Sequence, residues 1–193
     1  KPAPTGWYYE GSAHASELVW KALAEIAPDR FSAGSYMSLC AAYIYGKDPE
    51  SGEIFVHIEP AVGGWGATAR RDGTAALIAT TDGDTYNYSV ELFEAKFPLL
   101  VRQYALNTDE GAGEGRYRGG FGAVREFDIL ADDAFTYASF GRSVEPPWGL
   151  KGGAKGSCNF MEIEGAKETE RVARIPYHAL QPGDRVRVVT GGG

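Results

Sequence analysis

Gly111-Ala112-Gly113-Glu114-Gly115-Arg116-Tyr117-Arg118-Gly119-Gly120-Phe121-Gly122-Ala123-Val124-Arg125-Glu126 runs straight into the strand-like Phe127-Asp128-Ile129-Leu130. Six glycines and three arginines share the first sixteen of these residues. Glycine loses more backbone freedom on folding than any other residue, so this density calls for positive φ or a close backbone approach. Arginines interleaved with an aromatic fit two readings: a clamp on carboxylate or phosphate, or ion pairs that hold a folded turn. A dinucleotide fingerprint needs GxGxxG between a strand and a helix, and this run enters a strand instead. No GxxxxGK[ST] occurs either. The segment reads as a turn leading into β-structure, its arginines pairing with protein carboxylates more than with a nucleotide.

The same grammar extends along the chain. Turn signals such as Pro49-Glu50-Ser51-Gly52, Asp82-Gly83-Asp84, Pro146-Pro147-Trp148-Gly149 and Gln181-Pro182-Gly183-Asp184 separate runs rich in Val, Ile, Phe and Tyr. Strands are expected at residues 37–45, 53–59, 99–106, 123–130, 134–140, 158–163, 170–175 and 185–189. In the second of these, Ile54, Val56 and Ile58 alternate with Phe55 and His57, which predicts a strand covered on both faces. One segment is helical: after Ser12 as N-cap, Val19, Ala22, Leu23 and Ile26 recur at the 3.6-residue period until Pro28. A second, short helix spans residues 89–96, with Ser89 as cap and Pro98 beyond its end. The fold class is α+β, mostly antiparallel β with one clear N-terminal helix and Gly-rich turns.

Length and composition bound the rest. The chain has 193 residues, 44% of them hydrophobic and 23% charged, as in an ordinary globular protein. A net charge of −7 argues against nucleic acid as a partner. No apolar run approaches the roughly 20 residues that span a bilayer. Cys40 and Cys158 lie far apart and outside any CxxC pair, so a reducing cytoplasm is the expected setting. The chain closes on Val188-Val189-Thr190-Gly191-Gly192-Gly193, a strand entering a glycine loop. Residues 1–193 are accordingly expected to be one domain cut at both ends.

Candidate chemistry is sparse. His14, His57 and His178 form no HxH or HxxxH cluster, and no metal is expected on this chain alone. Asp82-Gly83-Asp84-Thr85-Tyr86-Asn87 gathers two carboxylates, a hydroxyl, a phenol and an amide, though tight Asp-Gly turns produce such clusters without function. Gly63-Gly64-Trp65-Gly66 frames an aromatic with glycines, which lets backbone approach a ligand or a neighbouring subunit. No GxSxG elbow is present. The residues on their own compose no complete catalytic constellation.

Six ordered pieces carry a resemblance. They are Ala61-Val62-Gly63-Gly64-Trp65-Gly66-Ala67 with Arg71-Asp72-Gly73; Asn87 with Val90-Glu91-Leu92-Phe93-Glu94; Phe97-Pro98-Leu99; the run from Gly113 to Gly122 with Val124-Arg125-Glu126; Pro147-Trp148-Gly149-Leu150 with Gly152-Gly153; and Leu180 with Pro182-Gly183-Asp184. In that order the chain resembles the C-terminal part of the hydantoinase B family, which includes B-type halves of ATP-dependent oxoprolinases and hydantoinases and the large subunits of acetone and acetophenone carboxylases. The resemblance implies a hetero-oligomer with a hydantoinase A-like ATPase subunit carrying ATP and Mg. It also implies an upstream B-type half that holds a divalent metal. Activity on a lactam, hydantoin or ketone would then belong to the assembly and not to this chain alone. Many relatives carry histidine and Thr-Asn before the matched asparagine, where this chain has Ala79-Thr80-Thr81-Asp82-Gly83-Asp84. Gly64, Trp65, Asp84 and Asn87 are the candidate contacts with substrate or subunit, and Arg116 and Arg118 are the candidate ion-pairing groups. The rival reading is a non-catalytic β-rich scaffold of such a complex.

Overall fold

A computed structural model describes residues 9–80, 82, 83 and 85–193. Its elements in chain order are α1 (Tyr9–Ile26), β1 (Ala42–Lys47), β2 (Ile54–Glu59), α2 (Val90–Lys96), β3 (Leu99–Asn107) and β4 (Gly122–Ile129). They continue with β5 (Asp132–Ser139), β6 (Phe160–Glu164), β7 (Thr169–Val172), β8 (Arg174–Leu180) and β9 (Arg185–Val189). All strand pairs are antiparallel. They form a four-stranded sheet in the order β2-β1-β5-β8 and a five-stranded sheet in the order β3-β4-β9-β6-β7. The expected α+β class with mostly antiparallel strands is what the chain adopts.

One face of each sheet enters a single core. Ile44, Phe55 and Leu180 of the four-stranded sheet join Phe127, Met161 and Val188 of the five-stranded one, with Phe93 and Phe97 beside them. Pairwise alternation along the strands is what allows this: β2 buries Phe55, His57 and Glu59 and turns Ile54, Val56 and Ile58 outward. The second face expected for β2 is therefore uncovered by any described residue.

The outward faces of the two sheets differ in kind. On the five-stranded sheet an ion-pair ladder runs across strands: Arg185 to Asp128 (2.9 Å) and Glu164 (3.2 Å), Arg187 to Glu162 (2.8 Å), and Arg171 to Glu162 (2.9 Å). Burial works against the Asp128 carboxylate, but hydrogen bonds from Arg185 and Arg102 outweigh it and hold its pKa below the ordinary value. That surface is built to face water. On the four-stranded sheet the middle of the outward face is aliphatic and aromatic, with Tyr43 against Tyr137 and Tyr45 against Phe135, and the charged Lys47, Asp133 and Arg174 stand at its ends.

Several boundaries depart from the sequence-based expectation for physical reasons. Residues 37–41 are not strand, because Cys40 takes a left-handed φ of 42° and breaks the extended run. The segment stays buried because α1 supplies its partners: the Glu10 carboxylate accepts from Leu39 N (2.8 Å), and the Glu17 carboxylate from Ser35 N (2.7 Å). The run 170–175 is split, since the chain changes sheets at Ala173. Ser12 lies within α1 and does not cap it. Nor does α1 pack through its apolar stripe; it buries Ala13, Glu17 and Ala24, and leaves Leu18, Val19, Leu23 and Ile26 exposed. Glu17 is held in that interface by Arg142 as well as by Ser35.

Ser89 caps α2 as expected, its hydroxyl accepting from Leu92 N at 3.4 Å. Ser89→Ala should cost about 1 kcal/mol. Urea unfolding reads that loss, and an unshifted midpoint would mean that the packing of Phe93 alone holds the helix.

Candidate functional site

The glycine motifs converge. Gly64 N donates to Gly191 O (3.0 Å), Gly120 N to Trp65 O (2.8 Å), Gly73 N to Arg118 O (2.8 Å) and Gly193 N to Gly120 O (3.0 Å). Four separate stretches of backbone thus cross at hydrogen-bonding distance. A Cβ on Gly64 would lie 2.0 Å from Gly120 O, and one on Gly120 would lie 2.0 Å from Thr74 O. Glycine is required here because backbone fills the space that a side chain would need. This knot brings Gly64, Trp65 and the backbone of Arg118 together.

Within this chain Arg116 and Arg118 of the Gly-Arg loop form no ion pair among the described residues. Arg118 Nη1 donates to the neighbouring Gly119 O (2.6 Å) and its guanidinium lies 4.0 Å over the Phe121 ring. The carboxylate nearby, Asp72, accepts from the Arg118 backbone N at 2.9 Å instead. Arg116 lies over the Tyr117 ring at 5.4 Å, on the wall of a cleft of about 380 Å³ that Glu114 and Lys151 also line. Among the described residues neither side chain meets a carboxylate. A loop this tightly threaded holds its arginines against their own neighbours. The third arginine of the run, Arg125, does form an ion pair.

Trp65 opens onto a different cleft of about 540 Å³, shared with Trp20, Arg30, Arg70, Arg71 and Asp72. The two indoles stand 6.2 Å apart, and Trp65 Nε1 is tied to Ile78 O at 3.0 Å. Arg30, Arg70 and Arg71 are exposed. Three guanidiniums beside two fixed aromatic rings suit an anionic group with an apolar or planar part. Arg71 belongs to the Arg71-Asp72-Gly73 motif, but nothing in the sequence joins it to Arg30 or Trp20. That meeting arises where α1 and the turn after it pass the Trp65 loop.

Asn87 sits apart from both. Its Nδ2 donates to Tyr104 Oη (3.2 Å), and Tyr104 lies against the Arg125 guanidinium at 4.3 Å. Behind them Arg125 Nη2 donates to Glu59 at 3.1 Å, and His57 Nε2 lies 3.4 Å from the same carboxylate. A cavity of about 10 Å³ adjoins Asn87, Tyr104, Glu59 and Arg125, room for about one water. Arg125 Nε and Nη1 find no hydrogen-bond partner. His57, Glu59 and Arg125 were not expected to meet, because β2 and β4 lie in different sheets. Asp84 lies outside the described residues.

Burial, and then the Arg125 charge, push the His57 imidazole down to a pKa of about 4. Its ring is enclosed by Phe93 at 4.8 Å and Phe97 at 5.1 Å, so it is a neutral packing residue. Burial raises the Glu59 pKa, with Arg125 opposing. A histidine depressed in the folded state stabilises fully above its unfolded pKa near 6.5 and loses that contribution as pH falls toward 4. Glu59 works in the opposite direction. Stability should therefore drop by up to about 2 kcal/mol between pH 6.5 and pH 5. Urea unfolding at both pH values measures the drop; His57→Phe should flatten it, and an equally steep dependence in that variant would assign the effect elsewhere.

Among the described residues, no group of three His, Cys, Asp or Glu side chains is placed to hold a metal ion. No helix among the described residues is long and apolar enough to cross a membrane.

The two-sheet fold recurs in solved structures. An ATP-dependent caprolactamase from Pseudomonas jessenii superposes with a TM-score of 0.74 at 27% identity, covering 90% of this chain and 31% of that one. A nucleotide-free acetone carboxylase gives a TM-score of 0.72 at 18% identity, covering 91% of this chain and 28% of that one, a likeness of fold alone. Caprolactamase subunit beta from Pseudomonas jessenii is 30% identical over 190 residues, 92% of this chain and 32% of its own length. The hydantoinase B/oxoprolinase family model matches residues 1–193, and the chain belongs to that family. It spans about a third of the length of relatives that it matches over nearly its whole extent.

Proposed function

We propose that this chain acts as a C-terminal part, or a split subunit, of the B-type component of an ATP-dependent complex that opens a lactam or hydantoin ring or carboxylates a ketone. The observation that carries this reading is the family match along all 193 residues, supported by 30% identity to a caprolactamase beta subunit. ATP with Mg belongs, in this reading, to a hydantoinase A-like partner, and a divalent metal to the upstream B-type half; the setting is the cytoplasm. This chain's own contribution is the Trp65 cleft. There Arg30, Arg70 and Arg71 hold an anionic portion of the reacting species or of the partner against two indoles.

Reconstitution with the ATPase-type subunit and the upstream half tests this. ATP hydrolysis is followed together with ring opening of 5-oxoproline, hydantoin and caprolactam, and with bicarbonate-dependent carboxylation of acetone. ATP-dependent turnover on one of these should require all components, and Arg70→Ala with Arg71→Ala should raise KM about tenfold with assembly intact, the loss of one charge-assisted contact. Turnover by the 193 residues alone, without ATP, would overturn the reading. One observation favours the scaffold alternative: the glycine motifs are filled by backbone and not open to a ligand. Under that alternative the double arginine change leaves both kcat and KM unaltered.

A further inference from the structure

Eight side chains cover the outward face of the four-stranded sheet: Ile54, Val56 and Ile58 from β2, Tyr43 and Tyr45 from β1, Phe135 and Tyr137 from β5, and Tyr177 from β8. Register makes them contiguous. Tyr43 stands opposite Ile58 on one side and Tyr137 on the other, and Tyr45 stands between Val56 and Phe135. Phe135 in turn packs on Tyr177 with ring centroids 4.6 Å apart. Ile54, Val56 and Ile58 are 77%, 57% and 55% exposed, and together with the rings beside them they make a contiguous apolar patch. One ion pair, Lys47 with Asp133 at 3.2 Å, marks the edge of the patch.

The other sheet shows what this fold does with a surface meant for water. Its outward face carries Arg102, Asp128, Glu162, Arg171, Arg185 and Arg187 in a cross-strand ladder. One sheet with a charged exterior and one with an aliphatic and aromatic exterior are not equivalent by chance of composition. The second is patterned as a core half, the signature of a permanent interface and not of a transient one.

We infer that this sheet face docks on the remaining two thirds of the hydantoinase B-type protein, through a matching apolar, uncharged surface. Three observations select that occupant. Relatives that align with nearly all of this chain are about three times its length, so the domain has a constant companion in them. The charges on this face, Lys47, Asp133 and Arg174, stand at its two ends and leave the middle apolar, as in the core of a lasting interface. And β2 turns three β-branched aliphatics outward while its other face enters the core, the pattern of a strand enclosed on both sides. The inference rests on the B-type reading given above.

Site-specific photo-crosslinking in the native polypeptide or complex tests it. Tyr45→p-benzoylphenylalanine places the probe in the middle of the patch with little change of shape, and Glu164→p-benzoylphenylalanine serves as the control on the charged sheet. After irradiation, peptide mass spectrometry should place the Tyr45 link in B-type sequence outside this domain, with at least a tenfold excess over the control. A link to a second copy of this chain, a link to the ATPase-type subunit, or no link above the control would each overturn the docking inference. Native purification that recovers no B-type sequence beyond these 193 residues would instead remove the reading on which it rests. A second variant guards against misfolding of the probe: Val56→Lys lies on an exposed position, so this domain should fold while limited proteolysis of the full protein releases it several-fold faster. Unchanged release would count against the interface.

Discussion

Gly120→Ala should all but abolish folding, and Gly115→Ala, five residues earlier in the same loop, should barely matter. At Gly120 the added methyl would sit 2.0 Å from Thr74 O and 2.4 Å from Thr74 C, both backbone atoms held in place by the knot. Gly120 N is bonded to Trp65 O and Gly120 O to Gly193 N, so the loop has no free direction in which to retreat. Overpacking normally costs 1–3 kcal/mol because side chains can turn aside. Backbone cannot, and the cost here should exceed about 4 kcal/mol, a large part of a typical domain's stability. At Gly115 the nearest atoms are Tyr117 O at 3.3 Å and Gly153 Cα at 3.6 Å, which a few tenths of an ångström accommodates. Gly111 makes a third case: its φ of 74° strains an alanine by about 1 kcal/mol although space is open around it. Soluble yield and urea midpoints of the three variants rank these costs. Similar midpoints for Gly120→Ala and Gly115→Ala would refute the knot as the reason for the motif.

That ranking also shows what could be read from the chain and what could not. A dense glycine run announces close approach, but not what approaches, because the partners of Gly120 come from residues 65, 74 and 193. Strands bounded by Gly, Pro and Asp were legible to within a residue or two where alternation was regular, as in β2 and β9. They were misjudged where one residue decides the path, as at Cys40 with its left-handed φ and at Ala173 between two sheets. Hydrophobic period located α1 but not its orientation. A buried carboxylate, Glu17, turns toward the body because Ser35 and Arg142 satisfy it, and the apolar stripe is left outside. The Gly-Trp-Gly motif marks Gly64 and Trp65 in the sequence, and the structure places them at the backbone knot. The cleft arginines and the Glu59–Arg125 pair needed three-dimensional proximity that no local signal encodes.

Removing one member of that pair should be the other large loss. Arg125 and Glu59 are both almost fully buried, with Arg125 Nη2 at 3.1 Å from the carboxylate. Arg125→Met keeps the volume between Tyr104, Phe93 and Phe127 but leaves Glu59 without its counter-charge beside a neutral imidazole. An uncompensated buried charge costs about 3–5 kcal/mol, and the carboxyl should escape part of it by taking up a proton. Since burial already raises the Glu59 pKa and Arg125 opposes that rise, losing Arg125 moves it further up. Arg125→Met should therefore be more damaging at pH 8 than at pH 5, the reverse of the wild-type trend set by His57. The double change Arg125→Met with Glu59→Leu removes both charges together. It should recover most of the loss, because burying an ion pair yields little net stability over apolar packing. The coupling energy from the four urea curves, expected at 2 kcal/mol or more, decides the matter. If the two single changes simply add, the pair is two independent packing residues, and the unpartnered Arg125 Nε and Nη1 would then mark a site whose charge balance lies with a bound group and not with Glu59.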